Sequence, residues 1–392
     1  MLDNFEQIFT EIERPFAWLD LDALEQNIAF VNEACGQKKI RIATKSIRSA
    51  PMLNYISKRI HHFAGFMTFT ASETLFLLEQ DLDEFLIGYP VYEKQSITRL
   101  AEWVKSGKSI TFMVDAMEQA ALLNTIAQSE GILFEICIDV NVSTDFQVLY
   151  FGSKRSPIAN FQALKELTDQ LQAYESLIVS GVMGYDAQIA GVADQSSQLL
   201  GLQTTLIRTL KKQAKKKVTA FRQFAVAHVK SLYDVKFVNA GGSGSMQFTA
   251  QQQEVTEITV GSAFFAPALF DRYDSLTLAP AAGFALRVTR QFAPNIVVCH
   301  GGGYIASGAV GKDRLPTFME ADCFEFLPLE GAGEVQTPVV VKKGTVSIGD
   351  TLYLRHAKAG ELCERFQVLH AVKDGRYFGQ IQTYRGDGQC FL

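Results

Sequence analysis

Cysteine is scarce in this sequence, and the six cysteines are scattered over 392 residues without a Cys-x-x-Cys pair. Scattered thiols favour reduced cysteines over a disulfide framework or a structural zinc site. Long apolar runs are also missing, and the N-terminus does not have the basic and then apolar layout of a secretory signal peptide. We therefore expect a cytoplasmic protein without a membrane-spanning segment.

Positive charge is not in excess, because the formal net charge is −5 at pH 7. Proteins that bind nucleic acid or an anionic membrane surface carry a clustered basic face. The conspicuous basic run, KKQAKKK at 211–217, lies in a long helical pattern. We interpret it as a solvated helix face, with a basic docking patch as the alternative. The expected partner is thus a small molecule, with neither nucleic acid nor a membrane.

Short β-rich runs alternate with amphipathic helical runs up to about residue 274. In helical runs such as 22–35 and 117–128, apolar residues recur every three to four positions, as a helix that packs on a core requires. Strict alternation indicates parallel strands with right-handed crossovers, and eight such units close a (β/α)₈ barrel. The strand candidates are 16–21, 40–45, 62–69, 84–90, 109–116, 133–141, 177–185, 236–242 and 257–265.

The strand candidates number one more than a barrel needs. The simplest spare is the first, FAWLDL at 16–21, which would pair with the C-terminal region and leave IRIATK at 40–45 as the first barrel strand. Beyond residue 275 the helical periodicity fades, and short β-rich runs stand between turn signals. The sequence therefore predicts a (β/α)₈ barrel over residues 22–274, followed by an all-β C-terminal domain over 275–392 to which residues 1–21 could add a strand.

Lys45 stands at the end of the first predicted barrel strand, between Thr44 and Ser46. A lysine at a strand end is usually a solvated cap. In a barrel of this kind, however, active sites are built at the C-terminal ends of the strands, so its position makes Lys45 a candidate nucleophile. A nucleophilic lysine needs burial or neighbouring cations to favour the neutral amine, and Arg48 is a cation close in sequence.

Three more segments lie at the ends of late predicted strands, at the same mouth of the barrel as Lys45. They are MGYDAQIAG at 183–191, VNAGGSGS at 238–245 and EITVGSAFF at 257–265. The glycine- and serine-rich turn at 238–245 is a candidate phosphate cradle, because backbone N–H groups can approach an anion closely there; a flexible connector is the alternative. No Gly-Lys-Ser/Thr follows, which excludes a P-loop. A phosphate site here would face Lys45 across one opening, and pyridoxal phosphate could bridge that opening.

The ordered combination of WLDLDALEQNI, IRIATKSIRS, GVMGYDAQIAG and VNAGGSGS resembles the fold-type III pyridoxal phosphate enzymes, the alanine racemase-like group. The closer likeness is to the branch with D-threonine aldolase and D-serine dehydratase, into which the C-terminal GEVQTP and HAKAGELCERF also fall. The resemblance extends over nearly the whole chain. It implies pyridoxal phosphate as the cofactor, an amino acid as the substrate and a homodimer as the assembly.

The resemblance also implies site residues. Lys45 would be the Schiff-base lysine, Arg155 would approach the pyridine nitrogen, and Tyr185 would lie beside the cofactor. The phosphate would be held by Gly241, Gly242, Ser243 and Ser245. An arginine does not give up its proton, so the ring nitrogen would stay unprotonated, which suits racemase, aldolase or elimination chemistry. The alternatives are a surface position for Arg155 and a core position for Tyr185.

Members of this branch carry a divalent metal on a C-terminal His-x-Cys or His-x-Asp pair, and RHAKAG places His356 and Lys358 at the matching positions. A protonated lysine has no lone pair with which to bind a metal. Cys363 follows His356 at a spacing that does not match. The sequence therefore predicts that Lys358 supplies the positive charge that a metal would otherwise provide, with a divalent metal on His356 as the alternative.

The resemblance implies a pyridoxal phosphate-dependent lyase for small D-β-hydroxy amino acids. Lys45 would form the Schiff base and move protons, with His356 and Lys358 near the substrate hydroxyl. The reaction would be aldol cleavage, or loss of water to give a keto acid. One alternative is an amino acid racemase, which needs a second base on the opposite face of the cofactor. Another is a non-catalytic pyridoxal phosphate-binding regulatory protein, against which the additional C-terminal domain argues.

Overall fold

The computed structural model describes residues 2–147, 149–195, 201–309 and 311–392. A closed barrel of eight parallel strands forms its larger, N-terminal part. Its helices and strands are α1 (Leu2–Ile8), β1 (Phe16–Asp20), α2 (Leu21–Cys35), β2 (Lys39–Ala43), α3 (Ala50–Ser57), β3 (Phe63–Thr68), α4 (Ala71–Glu79), β4 (Phe85–Ile87), α5 (Lys94–Lys105), β5 (Ile110–Val114), α6 (Met117–Glu130), β6 (Phe134–Asp139), β7 (Thr144–Asp145), β8 (Tyr150–Phe151), α7 (Phe161–Leu171), β9 (Leu177–Gly184), α8 (Ala187–Ala190), α9 (Gly201–Leu232), β10 (Phe237–Ala240), α10 (Met246–Ala250), β11 (Glu257–Val260) and α11 (Ser262–Phe265). The barrel order is β2-β3-β4-β5-β6-β9-β10-β11, and β11 pairs with β2 to close it. The predicted (β/α)₈ barrel is confirmed.

The C-terminal part is a mostly antiparallel sheet of nine strands that includes β1. Its remaining elements are β12 (Ala282–Ala293), β13 (Ile296–His300), β14 (Thr317–Phe318), β15 (Phe324–Phe326), β16 (Gln336–Val341), β17 (Thr351–Arg355), α12 (Leu362–Arg365), β18 (Val368–Lys373) and β19 (Arg376–Gln382). Strand β1 pairs antiparallel with β12 and parallel with β18. The first strand candidate therefore belongs to this sheet, and β2 is the first strand of the barrel.

Side chains inside the barrel lie in layers, because alternate residues of each strand point inward. The middle layer is a buried apolar cluster of Leu86, Met113, Cys137 and Met183. Two residues further along the same chain segments, the next inward positions are Gly88, Asp115, Asp139 and Tyr185. Lys45 lies two residues beyond Ala43, in the single 3₁₀ turn that follows β2. The polar side chains of Asp115, Asp139 and Tyr185 thus lie with Lys45 at the C-terminal mouth of the barrel.

A buried ion pair joins β2 to β11 in the layer near the opposite, N-terminal end. The Nε and Nη2 atoms of Arg41 donate to the two carboxylate oxygens of Glu257 at 2.7 and 3.0 Å, and Nη1 donates to the Glu84 carbonyl at 2.9 Å. The guanidinium also lies 5.5 Å from the centre of the Phe237 ring. Gly65 leaves the required space, because a Cβ there would come within 2.9 Å of Arg41 Nη1.

The described residues contain no helix with the length and apolar character needed to cross a membrane. All six cysteines are free thiols. The basic run lies in α9, where Lys212 and Lys216 are exposed as predicted. Lys211 differs from that prediction, because it is buried and its ammonium group pairs with the carboxylate of Asp194.

We predict that Arg41→Met destabilises the protein by about 3–5 kcal/mol, because the substitution leaves the Glu257 carboxylate buried and unpaired. The free energy of unfolding from urea denaturation measures the effect. The matched control is Lys105→Met, which breaks the more exposed ion pair with Glu130 and should cost at most about 1 kcal/mol. Equal losses in the two variants would contradict the structural role given to the buried pair.

Candidate active site

A cavity with an empty volume of about 690 Å³ opens at the C-terminal mouth of the barrel, and we call it the mouth cavity. It is lined by Lys45, which follows β2, and by the turn at 241–243, which follows β10, two strands away around the barrel. Arg155 and Tyr185 line it as well. The structure thus brings six of the predicted cofactor-binding residues to one cavity, although they come from four separate chain segments.

Lys45 extends from a single turn of 3₁₀-helix, Thr44–Ser46, that directly follows β2. Its Nζ donates a hydrogen bond to the Tyr89 hydroxyl at 2.9 Å. Arg48 is close, as predicted, and its Nε donates to the Lys45 carbonyl at 3.0 Å. The guanidinium charge, however, is paired with Glu364 at 2.8 Å. Arg48 therefore supports the backbone of the nucleophile more directly than it supplies an unbalanced cation.

The C-terminal domain holds the segment that carries Lys45. Ser49 donates its hydroxyl proton to the Gln382 carbonyl at 2.6 Å, and the Tyr384 N–H donates to the Arg48 carbonyl at 2.8 Å. Gly360 packs so closely that a Cβ there would lie 2.1 Å from the Lys45 carbonyl oxygen. Its φ of +96° is a conformation that glycine adopts readily and other residues rarely. The nucleophile thus belongs to the barrel in sequence but is positioned from both domains.

Tyr89 is a site residue that sequence reasoning missed. It follows the short strand β4 and lines the mouth cavity beside Lys45. Burial raises the pKa of Tyr89, but the charges of Lys45, Arg155 and Lys358 outweigh that effect and bring the pKa below the usual value for tyrosine. The available signal was its position at the end of the predicted strand at 84–90, two strands around the barrel from β2 and at the same mouth as Lys45.

The predicted phosphate turn follows β10 and lines the mouth cavity. Gly241 has a φ of +76°, and a Cβ on Gly242 would come within 3.1 Å of the Ala190 methyl group and 3.2 Å of the Tyr185 ring. The Ser243 hydroxyl accepts a hydrogen bond from the Ala263 N–H at 3.0 Å, which ties this turn to the one after β11. The glycines therefore leave a narrow cradle that side chains would fill.

Ser245 occupies a different position from its three predicted neighbours. Its hydroxyl donates to the buried Asp186 carboxylate at 3.1 Å and accepts from the Gly242 N–H at 3.1 Å, and the residue does not line the mouth cavity. In the structure Ser245 therefore stabilises the turn at 241–243 through the Gly242 N–H and does not face the cavity. Gly261 and Ser262 line the cavity instead, in the late segment that the sequence also singled out.

An acidic hollow adjoins the mouth cavity and shares Tyr89, Arg155 and Tyr185 with it. Asp115 and Asp139 line this hollow. Burial, with the charge of Asp115 as the next contribution, raises the pKa of Asp139 to about 7, while Arg155 acts in the opposite direction. The Arg155 guanidinium carbon lies 5.7 Å from the centre of the Tyr185 ring. Burial raises the pKa of that tyrosine to about 12, so it stays protonated near neutral pH.

His356 lies outside the mouth cavity, in the wall of a smaller cavity of about 250 Å³ that Lys358 and Glu361 also line. Its ring is buried, with Nδ1 3.2 Å from the Ala282 carbonyl oxygen and Nε2 without a partner among the described residues. Burial, reinforced by Arg355, lowers the pKa of His356 to about 3. Partial burial, together with Arg314 and Lys45, lowers the pKa of Lys358. The histidine is therefore neutral, and the lysine is the residue whose charge reaches the mouth.

The resemblance implies two bound groups, pyridoxal phosphate and a divalent metal, and the residues of the site fit only the first. For pyridoxal phosphate, an amine, a cationic arginine and a glycine cradle converge on one cavity, so the donor set fits. A divalent metal needs several neutral or anionic ligands close together. In the described ranges no three His, Cys, Asp or Glu side chains are grouped to hold one, and Lys358 stands where a second ligand would be needed. The residues at His356 do not fit a metal.

Comparisons with known proteins show the family to which the barrel belongs. Residues 19–268 match the family described as alanine racemase, N-terminal domain. A 3-hydroxy-D-aspartate aldolase of Paracoccus denitrificans (strain Pd 1222) is 23% identical over 264 residues, which is 67% of this chain and 63% of the relative's own length.

Two solved structures share the fold at low sequence identity. A D-threonine aldolase from Filomicrobium marinum superposes with a TM-score of 0.82 at 15% identity, covering 97% of this chain and 96% of its own. A D-threo-3-hydroxyaspartate dehydratase from Delftia sp. HT23 superposes with a TM-score of 0.72 at 16% identity, covering 95% and 97%. Barrel and C-terminal domain therefore recur together in both.

We predict that Gly242→Val weakens retention of pyridoxal phosphate roughly tenfold to a hundredfold, because the added side chain fills the cradle and removes one or two charge-assisted hydrogen bonds. Equilibrium dialysis of the cofactor measures the change. Gln247→Val is the control, since Gln247 lies just beyond the same turn and does not line the mouth cavity. Unchanged affinity in Gly242→Val would show that the turn is only a connector.

Proposed function

Because the chain belongs to the alanine racemase N-terminal domain family, we propose that it is a pyridoxal phosphate-dependent lyase acting on small D-β-hydroxy amino acids. The observation that carries the proposal is the mouth cavity, which Lys45 and the glycine turn at 241–243 line together. The relatives named above act, by their names, on D-amino acids with a hydroxyl on the β carbon. The cytoplasmic location and the homodimer stay predictions.

The cavity residues suit binding and orientation of that cofactor. When bound, pyridoxal phosphate supplies an electron sink for the carbanion that forms on a substrate. Lys45 would hold the aldehyde carbon and move protons to and from the substrate's α carbon. Backbone N–H groups of the turn at 241–243 would bind the phosphate, with Ser262 beside them. Arg155, which keeps its own proton, would face the ring nitrogen without protonating it.

Lys358 provides the positive charge near the substrate hydroxyl in this proposal. Its ammonium group can donate a hydrogen bond to a departing or deprotonating oxygen. The lowered pKa of Lys358 also makes proton transfer to that oxygen easier. His356, neutral and buried, contributes by packing behind the residues that carry Lys358. The hydroxyl of the substrate would thus be polarised by a side chain of the protein.

Racemisation is the second candidate function. A racemase needs acid–base groups on both faces of the cofactor, and Tyr89 places a second proton-transfer group in the same cavity as Lys45. The lyase is preferred because Lys358 adds a donor for a β-hydroxyl, which a simple racemase does not need.

A panel of D- and L-amino acids, assayed for aldehyde, keto acid and enantiomer, tests the proposal. We expect D-threonine, D-serine and D-3-hydroxyaspartate to give an aldehyde or a keto acid, and their L forms and D-alanine to give neither. Interconversion of enantiomers without either product would instead support the racemase. A protein that binds the cofactor and turns over nothing would be a binding protein, and the lyase proposal would be wrong.

The control for that panel is Lys45→Ala, which should lower turnover by more than about a hundredfold, because it removes the group that moves the proton. Borohydride reduction of the wild-type holoenzyme should leave the cofactor on the peptide that contains residue 45, as read by mass spectrometry. Lys58→Ala, at a surface lysine in the next helical segment, should change neither result. A covalent adduct that persists in reduced Lys45→Ala would contradict the assignment.

We also predict that exhaustive chelation leaves the lyase activity within about twofold of its starting value, because the residues around His356 do not provide a metal's ligand set. Metal content by atomic emission and activity before and after chelation measure this. The positive control is Lys358→Cys, in which a thiolate at this position could complete a His-x-Cys pair and make activity respond to zinc. A large loss in the wild type that zinc or manganese restores would overturn the prediction.

A further inference from the structure

Lys45 and Tyr89 form a hydrogen-bonded pair at the mouth of the barrel, where the lysine is exposed. The distance from Nζ to the phenol oxygen is 2.9 Å, and among the described residues the phenol is the only hydrogen-bond partner of this amine. No carboxylate within the described ranges lies in ion-pair distance of the Lys45 amine. Tyr89 is therefore the side chain that is placed to exchange a proton with this amine.

The charged and titratable groups around Tyr89 come from several elements. They are the cations Lys45, Arg155 and Lys358, the carboxyls Asp115 and Asp139 of the acidic hollow, and the phenol of Tyr185. The three cations outweigh burial, so the phenolate form of Tyr89 is stabilised relative to an ordinary tyrosine. Burial raises the pKa of Asp139 to about 7, so this carboxyl carries less than a full negative charge near neutral pH.

We infer that Tyr89 is the proton acceptor that converts the Lys45 ammonium group into a nucleophilic amine. The phenolate oxygen takes one proton from Nζ and becomes a phenol. The freed lone pair then forms the C–N bond to the aldehyde carbon of the entering cofactor, and the aldehyde oxygen leaves as water with the two remaining amine protons. No proton has to cross to bulk solvent during this step.

The other groups near Lys45 are less suited to this role. The Arg48 guanidinium is paired with Glu364 and has no acceptor to offer. Lys358 and His356 line a different cavity, and among the described residues neither is hydrogen-bonded to Nζ. Tyr89 alone among these residues combines contact with Nζ and an oxygen that can accept its proton.

Ultraviolet titration of the tyrosines in the cofactor-free protein tests the pair directly. We expect one phenol to ionise at lower pH than the rest, the step to disappear in Tyr89→Phe, and the step to move to higher pH in Lys45→Met. Tyr92→Phe, at an exposed tyrosine three residues further on, should leave it in place. A titration of Lys45→Met that coincides with that of the wild type would overturn the inference.

The rate of covalent attachment of pyridoxal phosphate, followed by stopped-flow absorbance without substrate, provides the second readout. Tyr89→Phe should slow attachment at least about tenfold near neutral pH and bring the rate back towards that of the wild type as the pH rises, because solvent hydroxide then removes the proton. Tyr92→Phe should match the wild type throughout. Equal rates in Tyr89→Phe and the wild type at every pH would refute the role.

This inference rests on the proposed cofactor, but its failure is distinguishable from failure of the proposed function. The tyrosine titration uses the protein alone, and the attachment rate uses no amino acid. If Tyr89 titrates and attachment proceeds as expected but no β-hydroxy amino acid is turned over, the role of Tyr89 stands and the lyase proposal is wrong. If β-hydroxy amino acids are turned over but Tyr89 titrates like an ordinary tyrosine, the lyase proposal stands and the role of Tyr89 is wrong.

Discussion

Side chains alternate between inside and outside along each of eight strands, and these strands must close into a barrel. The rest of this structure follows from that one constraint. A buried salt bridge near one end of the barrel, an apolar cluster of four side chains in the middle and polar side chains at the mouth are consequences of this register. Arg41 and Glu257 belong to the strands that close the barrel, and they hold the register where β11 meets β2. Two residues beyond the middle layer, the same register delivers Lys45 to the mouth cavity.

Features that depend on local sequence were predictable. The alternation of β and helical runs predicted the barrel, and a glycine-rich turn after a late strand predicted that Gly241, Gly242 and Ser243 would line the same cavity as Lys45. Features that depend on three-dimensional neighbours were not predictable. Tyr89 gains its significance from its contact with the Lys45 amine, and the Ser245 hydroxyl donates to the buried Asp186 carboxylate. Lys211 is buried for the same kind of reason, since Asp194 provides a counter-charge that periodicity does not reveal.

The electrostatics of the mouth are uneven in a way that matches the chemistry proposed there. Lys45, Arg155 and Lys358 act on the Tyr89 phenol, whereas the carboxyls of Asp115 and Asp139 line the adjoining acidic hollow. A phosphorylated, anionic cofactor would therefore be drawn to the mouth cavity and not to the hollow. His356 is neutral and lies in the smaller cavity, so it adds no charge to the mouth. The C-terminal domain contributes charge to the mouth through Lys358.

The contact between Gly360 and the Lys45 carbonyl has a consequence for how this architecture can change over time. Because that glycine, Gln382 and Tyr384 all press on or bind the segment from 45 to 49, the position of the amine is specified jointly by two domains. A chimera that combined this barrel with the C-terminal sheet of a distant relative would inherit a displaced nucleophile even if every residue of the barrel were kept. The two domains are thus expected to diverge as a single unit, and lengthening the loop at 356–360 would be an early way to alter which substrates the amine can reach.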